Sequence, residues 1–175
     1  MLLADAAALT DSSAQILLIW RLVLAAALGA ALGLERSLAG KHAGMRTYAL
    51  VSTGSALFVI IGTLASYNLS VFAGVNPLQI ASNVVLGVGF LGTGLAVFRG
   101  DHPVELTTAA GLWVAAGIGM AAGFGFSILA FGTSVIAVLI LSLLLPVEND
   151  LRSSYTEEYP IKTRKRGQKK AQAVE

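Results

Sequence analysis

The chain has 175 residues, of which 55% are hydrophobic and only 13% are charged, and its formal net charge is +2. Soluble domains average about 25% charged residues, so this composition excludes an ordinary soluble domain and predicts a single membrane-embedded domain. The absence of cysteine excludes disulfides and thiolate metal sites, and it leaves the redox compartment open.

Residues 1–15 contain Asp5 and Asp11 but no Lys or Arg. A secretory signal begins with a basic segment followed by an apolar core, and this segment has neither. We therefore expect residues 1–15 to form a short extracytoplasmic N-terminal segment of the mature protein.

Five apolar runs follow, each close to the roughly 20 residues that a helix needs to cross a bilayer. They cover residues 16–34, 47–67, 78–98, 106–122 and 126–145. The predicted fold is an all-α integral membrane protein, with about five transmembrane helices bundled in a domain of residues 16–145. The fourth run is short and the break at "GFGF" before the fifth is weak, so a re-entrant hairpin is the alternative for this pair.

The basic residues predict the orientation of the bundle. Eleven of the twelve Lys and Arg residues fall in segments 35–46, 99–105 and 146–175, which five crossings place on one side of the membrane. The positive-inside rule then puts the N-terminus outside and the C-terminus, a basic tail of residues 146–175, in the cytoplasm. Arg21 is the exception, and we expect its side chain to extend towards the outer interface.

The tail contains "KTRKRGQKK", with six basic residues in nine. Such a cluster is typical either of a solvated, disordered segment or of one that contacts anionic lipid. Nucleic-acid binding is not expected, because no aromatic residues are interleaved with these charges.

Two stripes of small residues predict where helices pack closely, since lipid removes the hydrophobic drive for helix association. The first run has a GxxxG pair, and the fourth has a longer stripe: Gly29 and Gly33, then Gly111, Ala115, Gly119 and Gly123. The partner helix is expected either in the same chain or in a second copy, so a homodimer is one prediction.

The third run is rich in glycine, with four in "LGVGFLGTGL": Gly87, Gly89, Gly92 and Gly94. Each glycine lowers helix propensity by about 1 kcal/mol relative to alanine in water. This run therefore either packs against a neighbouring helix or forms a discontinuous helix beside a binding site. The letters also match the dinucleotide fingerprint, but no strand precedes them and no βαβ unit surrounds them, so no nucleotide site is predicted.

The segment "LGLERSLAGKHAGMRTYALV" joins the first two runs and carries five ionisable side chains: Glu35, Arg36, Lys41, His42 and Arg46. As a plain loop, it already satisfies the positive-inside rule. Alternatively, Glu35 and Arg46 lie at the bilayer boundary and face the bundle, where desolvation favours pairing. On this interpretation Glu35 pairs with Arg46 or Arg36 and fixes the first two helices.

Carboxylates are placed poorly for a magnesium site inside the membrane. Mg²⁺ prefers oxygen ligands in octahedral geometry and is usually held by carboxylates and water, whereas Glu35, Asp101 and Glu105 all fall at the predicted cytoplasmic edge. We predict no buried metal site. Polar residues of the runs either line a solute pathway or form interhelical hydrogen bonds; they are Ser52, Thr53, Ser55, Ser82, Asn83, Thr107 and Thr108.

The sequence contains no recognisable catalytic motif. We interpret His42 and His102 as solvated loop residues, because neither cysteine nor paired carboxylates accompany them. No Ser/His/Asp order, phosphate-binding loop or HExxH motif is present, so no catalytic residue and no cofactor are predicted.

Three motifs together resemble the membrane domain of the MgtC/SapB family: "GLERSLAGKHAGMRTYALVSTGSALF", "IASNVVLGVGFLGTG" and "LTTAAGLWVAAGIGMAAG". They occur in the family's order across most of residues 20–145. The resemblance implies a multi-pass protein of the bacterial inner membrane, linked to growth at low magnesium. Better-known relatives are also linked to survival inside host cells and to inhibition of the F-type ATP synthase, and many members are named as magnesium transporters.

The resemblance also assigns signature residues. The family's charged signature corresponds to Glu35, Arg36, Gly44, Arg46 and Thr47, and its third-run signature includes all four glycines of that run. The chain departs from the pattern at Asn76 and Gln79, where relatives usually carry an acid and a base, which weakens any ion-binding role. The resemblance covers the membrane domain only, without the soluble C-terminal domain of the virulence-linked members.

From the sequence we therefore expect a non-enzymatic membrane protein that acts through other membrane proteins in magnesium-limited growth, with the F-type ATP synthase as one candidate partner. The alternative is a transporter or channel for Mg²⁺ or another small solute, with a broken third helix and Glu35 and Arg46 at its inner gate.

Overall fold

The computed structural model describes residues 12–68, 76–97 and 106–158. It contains five helices, which are α1 (Ser12–Leu38), α2 (Met45–Asn68), α3 (Pro77–Val97), α4 (Leu106–Phe124) and α5 (Ser127–Glu158). All five are long and apolar enough to cross a membrane, and the described residues contain no strand. The predicted all-α fold with five spans is confirmed, whereas the direction of the bundle in the membrane stays a prediction.

Several helix ends differ from the predicted ones. α1 begins at Ser12, inside the predicted N-terminal segment. At its other end it continues to Leu38 and includes Glu35 and Arg36, although these residues were expected in a loop. α5 continues through Pro146 to Glu158. The charged loop 99–105, with Asp101 and His102, and the basic cluster at 162–170 lie outside the described residues.

The chain divides into two compact units, Met1–Leu141 and Ser142–Glu175. The first unit holds α1 to α4 and the first part of α5, and the second holds the remainder of α5. The candidate site lies entirely in the first unit.

Two glycines end helices in the left-handed conformation that L side chains rarely adopt. Gly40 follows α1 with φ of 70° and Gly125 follows α4 with φ of 91°. In both turns, the N–H groups at and after the glycine donate to carbonyls of the preceding helical turn, which is the Schellman pattern. At Gly125 this turn separates α4 and α5 into two helices that are each long and apolar enough to cross a membrane.

α4 lies at the centre of the bundle. Half of the residues in its membrane-spanning segment are buried, and α4 contacts α1, α2 and α3. α5 packs against α1, where the buried Ser134 hydroxyl donates to the Leu28 carbonyl oxygen at 3.4 Å. The core combines small residues such as Ala115 and Ala122, which allow the helices to approach closely, with larger buried side chains such as Leu32 and Ile118.

Candidate functional site

The end of α1 carries a buried ion pair. The Arg36 side chain is only 2% exposed and that of Glu35 is 14% exposed. One terminal nitrogen of Arg36 donates to Glu35 Oε1 at 2.6 Å, and its Nε donates to Oε2, so the pairing is bidentate. Arg36 continues the buried face of α1 formed by Leu32 and Gly33. A buried guanidinium without a partner would destabilise the fold. Glu35 neutralises the charge of Arg36 and so reduces this cost at the packed end of the bundle.

Arg46 and Thr47, the other members of the predicted charged cluster, lie on the first turn of α2 and are exposed. Among the described residues, the ion pair of Glu35 is with Arg36. Of the two expected partners, the structure therefore brings Arg36 to Glu35 and leaves Arg46 outside. The buried face of α2 begins only at Tyr48, which explains why the preceding side chains point away from the bundle.

The turn between α1 and α2 is fixed by the Ser37 hydroxyl. It donates to the Gly33 carbonyl oxygen at 3.0 Å and accepts the Met45 N–H at 3.2 Å. It therefore satisfies one of the N–H groups that the start of α2 leaves without a helical partner. Within this turn His42 is exposed and Lys41 is half-buried.

Tyr48 is a buried residue that the sequence analysis missed. Its side chain is fully buried, and its hydroxyl donates to the Thr108 carbonyl oxygen at 3.0 Å, which joins α2 to the first turn of α4. The ring lies against Gly111, where a Cβ atom would collide with the hydroxyl group. The glycine stripe of α4 was the available signal, because a glycine in a packed helix leaves space for a large residue opposite.

The two predicted small-residue stripes meet on α2. At Gly29 of α1, an added Cβ would lie 2.7 Å from both Ser52 Cβ and the Tyr48 carbonyl oxygen, and at Gly119 of α4 it would overlap the Ser52 backbone. We call Gly29, Ser52 and Gly119 the three-helix contact. Both stripes are therefore used for close packing within the chain, as one interpretation predicted.

The Ser52 hydroxyl lies at the three-helix contact and is fully buried. It has no hydrogen-bond partner among the described residues. Several other hydroxyls of the spans bond within their own helix: Thr53 Oγ1 donates to the Ala49 carbonyl oxygen at 2.7 Å and Ser55 Oγ to that of Val51 at 2.8 Å. The alternative of interhelical hydrogen bonds is therefore not met by Thr53 and Ser55, whose hydroxyls bond to the carbonyl one turn earlier in α2.

The glycine-rich α3 is a continuous helix from Pro77 to Val97, so the alternative of a discontinuous helix is wrong. A Cβ added at Gly92 would lie 3.3 Å from the Ala109 Cβ of α4, whereas one added at Gly87, Gly89 or Gly94 would meet open space. Gly87 lies on the wall of an apolar cavity of about 480 Å³ between α2 and α3. We call this cavity the α2–α3 groove; its walls include Leu50, Gly54 and Phe58 of α2, with Asn83, Gly87 and Leu91 of α3.

The polar residues proposed for a pathway do not share one cavity. Asn83 lies in the α2–α3 groove. Thr107 lines a separate apolar cavity of about 310 Å³ between α1, α4 and α5, and Thr108 is buried against α2. Within the described ranges, no group of three or more His, Asp or Glu residues is close enough to hold a metal ion.

At the other end of the bundle, Arg21 reaches the C-terminus of α4. Its guanidinium donates to the Gly123 carbonyl oxygen at 3.2 Å and lies beside Gly125. A cation at a helix C-terminus is favoured by the helix dipole and by the carbonyls that lack helical donors. This contact gives a structural reason for the one basic residue outside the predicted cytoplasmic segments.

These features define a multi-pass α-helical membrane protein with a core packed through glycine and a buried ion pair at one end. The MgtC family model matches residues 22–150, and the chain belongs to the MgtC family. No solved structure matches it.

Curated relatives support the same assignment. The chain is 43% identical over 123 residues to the protein named "Putative magnesium transporter YhiD" of Escherichia coli K12, covering 69% of this chain and 57% of that protein. It is 43% identical over 104 residues to SrpB of Synechococcus elongatus, covering 54% and 57%. It is 33% identical over 120 residues to MgtC of Brucella abortus, covering 69% and 48%. The chain thus spans about half the length of the curated relatives it matches.

Proposed function

We propose that this protein is a non-enzymatic component of the bacterial inner membrane that supports growth at limiting magnesium by binding other membrane proteins. The observation that carries the proposal is the closed interior of the bundle. At the three-helix contact, α1 and α4 both touch the backbone of α2, so the centre of the bundle is filled by protein atoms. The names of its relatives support the link to magnesium.

The closed interior bears on transport because Mg²⁺ crosses a protein only with its water or with replacing oxygen ligands. The buried positions in the middle of α4 itself are apolar, including Leu112, Ala115 and Ile118. The cavities beside α4 and α3 are also lined mainly by apolar residues. These surroundings suit a scaffold better than a route for a strongly hydrated cation.

The charged cluster then has two separate roles. Glu35 and Arg36 act inside the bundle, where they hold the end of α1 in its packed position. Arg46 and Thr47 are exposed at the same end, where Arg46 offers a guanidinium to a carboxylate of a partner protein. On this division, the buried pair supports the fold and the exposed pair recognises the partner.

The experiment compares three forms of the protein in cells grown at low magnesium: the wild type, Arg46→Glu and the matched control Arg46→Lys. After chemical crosslinking in membranes, purification and mass spectrometry identify bound proteins, with subunits of the F-type ATP synthase as one candidate set. We expect a defined membrane protein with the wild type and Arg46→Lys. Arg46→Glu should lose both this partner and growth at low magnesium. Normal growth of Arg46→Glu with an unchanged set of bound proteins would contradict the proposal.

The second candidate function is transport of Mg²⁺ or another small solute. The name of the Escherichia coli relative favours it. On this alternative, Glu35 and the neighbouring arginines form the inner gate, and the purified protein alone moves the solute across a bilayer.

A further inference from the structure

We propose that Arg21 holds the phosphate group of a membrane phospholipid beside the turn between α4 and α5, at the end of the bundle opposite the ion pair. The proposal concerns how the bundle binds lipid, and it holds equally for a regulator or a transporter. It begins with the guanidinium, which carries five N–H donors and a full positive charge. Among the described residues, its one hydrogen bond is to the Gly123 carbonyl oxygen, and it forms no ion pair there. A carbonyl dipole offsets only part of a unit charge, so the guanidinium lacks an anion.

Arg21 lies deeper than the surface of a bilayer. Arg21 and Glu35 are 14 residues apart on α1, which is about 21 Å along the helix axis, whereas the hydrocarbon core of a bilayer is about 30 Å thick. Both charged positions therefore cannot lie at the boundaries of an undeformed bilayer. α1 continues from Arg21 back to Ser12, and side chains of that segment such as Ile16 and Ile19 are more than half exposed. Because these apolar side chains need lipid, hydrocarbon surrounds α1 beyond Arg21.

The turn between α4 and α5 is recessed to the depth of Arg21. The hydrogen bond to Gly123 places the end of α4 beside Arg21, whereas α1 extends about 14 Å further along its axis. Arg21, Thr63 and Gly123 line a cavity of about 60 Å³ between α1, α2 and α4, whose other walls are apolar. This volume admits only a small group. A bilayer reaches a cation at such a depth by thinning locally, so that its head groups approach the charge.

Phosphate of a phospholipid fits this position better than water or a free ion. Water bonds to N–H groups but leaves the charge uncompensated, whereas a phosphate supplies a negative charge and accepts two parallel bonds from a guanidinium. The neighbours of Arg21 favour the lipid as its source. Trp20 and Val23 flank Arg21 on α1 and are at least half exposed, so acyl chains cover the helix beside the guanidinium. A cation next to exposed apolar side chains matches an amphiphile, which carries phosphate and acyl chains in one molecule.

The two tryptophans of the chain provide a direct test. Trp20 adjoins Arg21 and Trp113 lies on α4, and both are exposed. Each becomes the single reporter when the other is replaced by phenylalanine. The protein is reconstituted in liposomes of phosphatidylglycerol and phosphate-free digalactosyl diacylglycerol in equal amounts, with brominated acyl chains on one lipid at a time. Because bromine quenches nearby tryptophan fluorescence, the ratio of the two measurements gives the local enrichment of phospholipid.

We expect phospholipid to be enriched about fivefold at Trp20, the factor that one basic residue adds to binding of anionic lipid, and not to be enriched at Trp113. Arg21→Gln should abolish the enrichment at Trp20, and Arg21→Lys should retain part of it because a cation still reaches the phosphate. Excess inorganic phosphate should leave it unchanged.

Three results would overturn the proposal. The first is no enrichment at Trp20 in the chain with Arg21 intact, whether water or a carboxylate of residues 1–11 meets the guanidinium. The second is equal enrichment with Arg21 and with Arg21→Gln, which would mean that another feature attracts the lipid. The third is loss of the enrichment in inorganic phosphate, which would make this a site for a free anion.

Discussion

Replacement of Gly119 by alanine tests the closed interior at its tightest point. The added Cβ would lie 2.7 Å from the Ser52 carbonyl carbon and 2.9 Å from Ser52 Cα, and it would overlap the carbonyl oxygen. Favourable contacts between carbon atoms need about 3.5–4.0 Å. Because these Ser52 atoms belong to the backbone, no side-chain rotation relieves the overlap, and α2 and α4 must separate by about 1 Å. Such overpacking typically costs about 1–3 kcal/mol.

The same helix provides a matched control. Gly117 lies two residues earlier on α4, and an added Cβ there meets no atom within 4 Å. In Gly117→Ala the gain in helix propensity, about 1 kcal/mol in water, is not opposed by a collision. Gly119→Ala gains the same propensity, so this term cancels, and we expect Gly119→Ala to be about 1–3 kcal/mol less stable than Gly117→Ala, which is the cost of the overpacking.

The assay is reversible unfolding in mixed micelles, with increasing denaturing detergent and circular dichroism as the readout. The two variants change the same residue type on the same helix, so differences in detergent binding largely cancel. Superimposable unfolding curves would refute the close contact between α2 and α4 on which the closed interior depends.

Three further predictions use the same unfolding assay. Arg36→Met should lower the free energy of unfolding by about 3 kcal/mol, because it leaves the Glu35 carboxylate buried without its partner. The double variant with Glu35→Gln should recover part of that loss. Additive losses in the double variant would contradict a direct pair. Ser52→Ala should be neutral or more stable by up to about 1 kcal/mol, because it removes a buried hydroxyl with no described acceptor, and a clear loss would reveal a hydrogen bond there. Tyr48→Phe should cost about 1 kcal/mol through the hydrogen bond to the Thr108 carbonyl, and an unchanged midpoint would show that this bond contributes nothing.

Much of the fold could be predicted because lipid imposes simple rules on a spanning chain. Apolar runs of sufficient length predicted all five helices, and the small-residue stripes at Gly29 and Gly119 predicted close packing. The end of α1 was predicted wrongly, because an ion pair between adjacent residues lets Glu35 and Arg36 remain helical at the membrane edge. Hydropathy cannot detect such a pair.

The third helix shows why glycine content alone misleads in a membrane. Its glycines left a discontinuous helix open as one of two alternatives, on propensities measured in water, yet α3 is continuous. In lipid, a broken helix exposes backbone groups that have no water to bond, so the intact helix is favoured unless neighbours supply partners. The glycines instead leave one side of α3 open.

The candidate site was predictable in its residues and only partly in its geometry. The sequence indicated Glu35 with two alternative partners, but nothing in it distinguished the buried Arg36 from the exposed Arg46. Tyr48 was missed because its role depends on Gly111, which is distant in the sequence. Contacts of this kind arise only when three helices are placed together.

The measurement that most directly tests the central claim is magnesium flux through the purified protein. The chain is reconstituted in liposomes with a trapped Mg²⁺ indicator and a fixed membrane potential, and circular dichroism and protease protection establish its folding and insertion. A protein that acts through partners should give no uptake above empty liposomes. Uptake by the wild type that is lost in Glu35→Gln would contradict this account and make the protein a transporter with its gate at the buried ion pair.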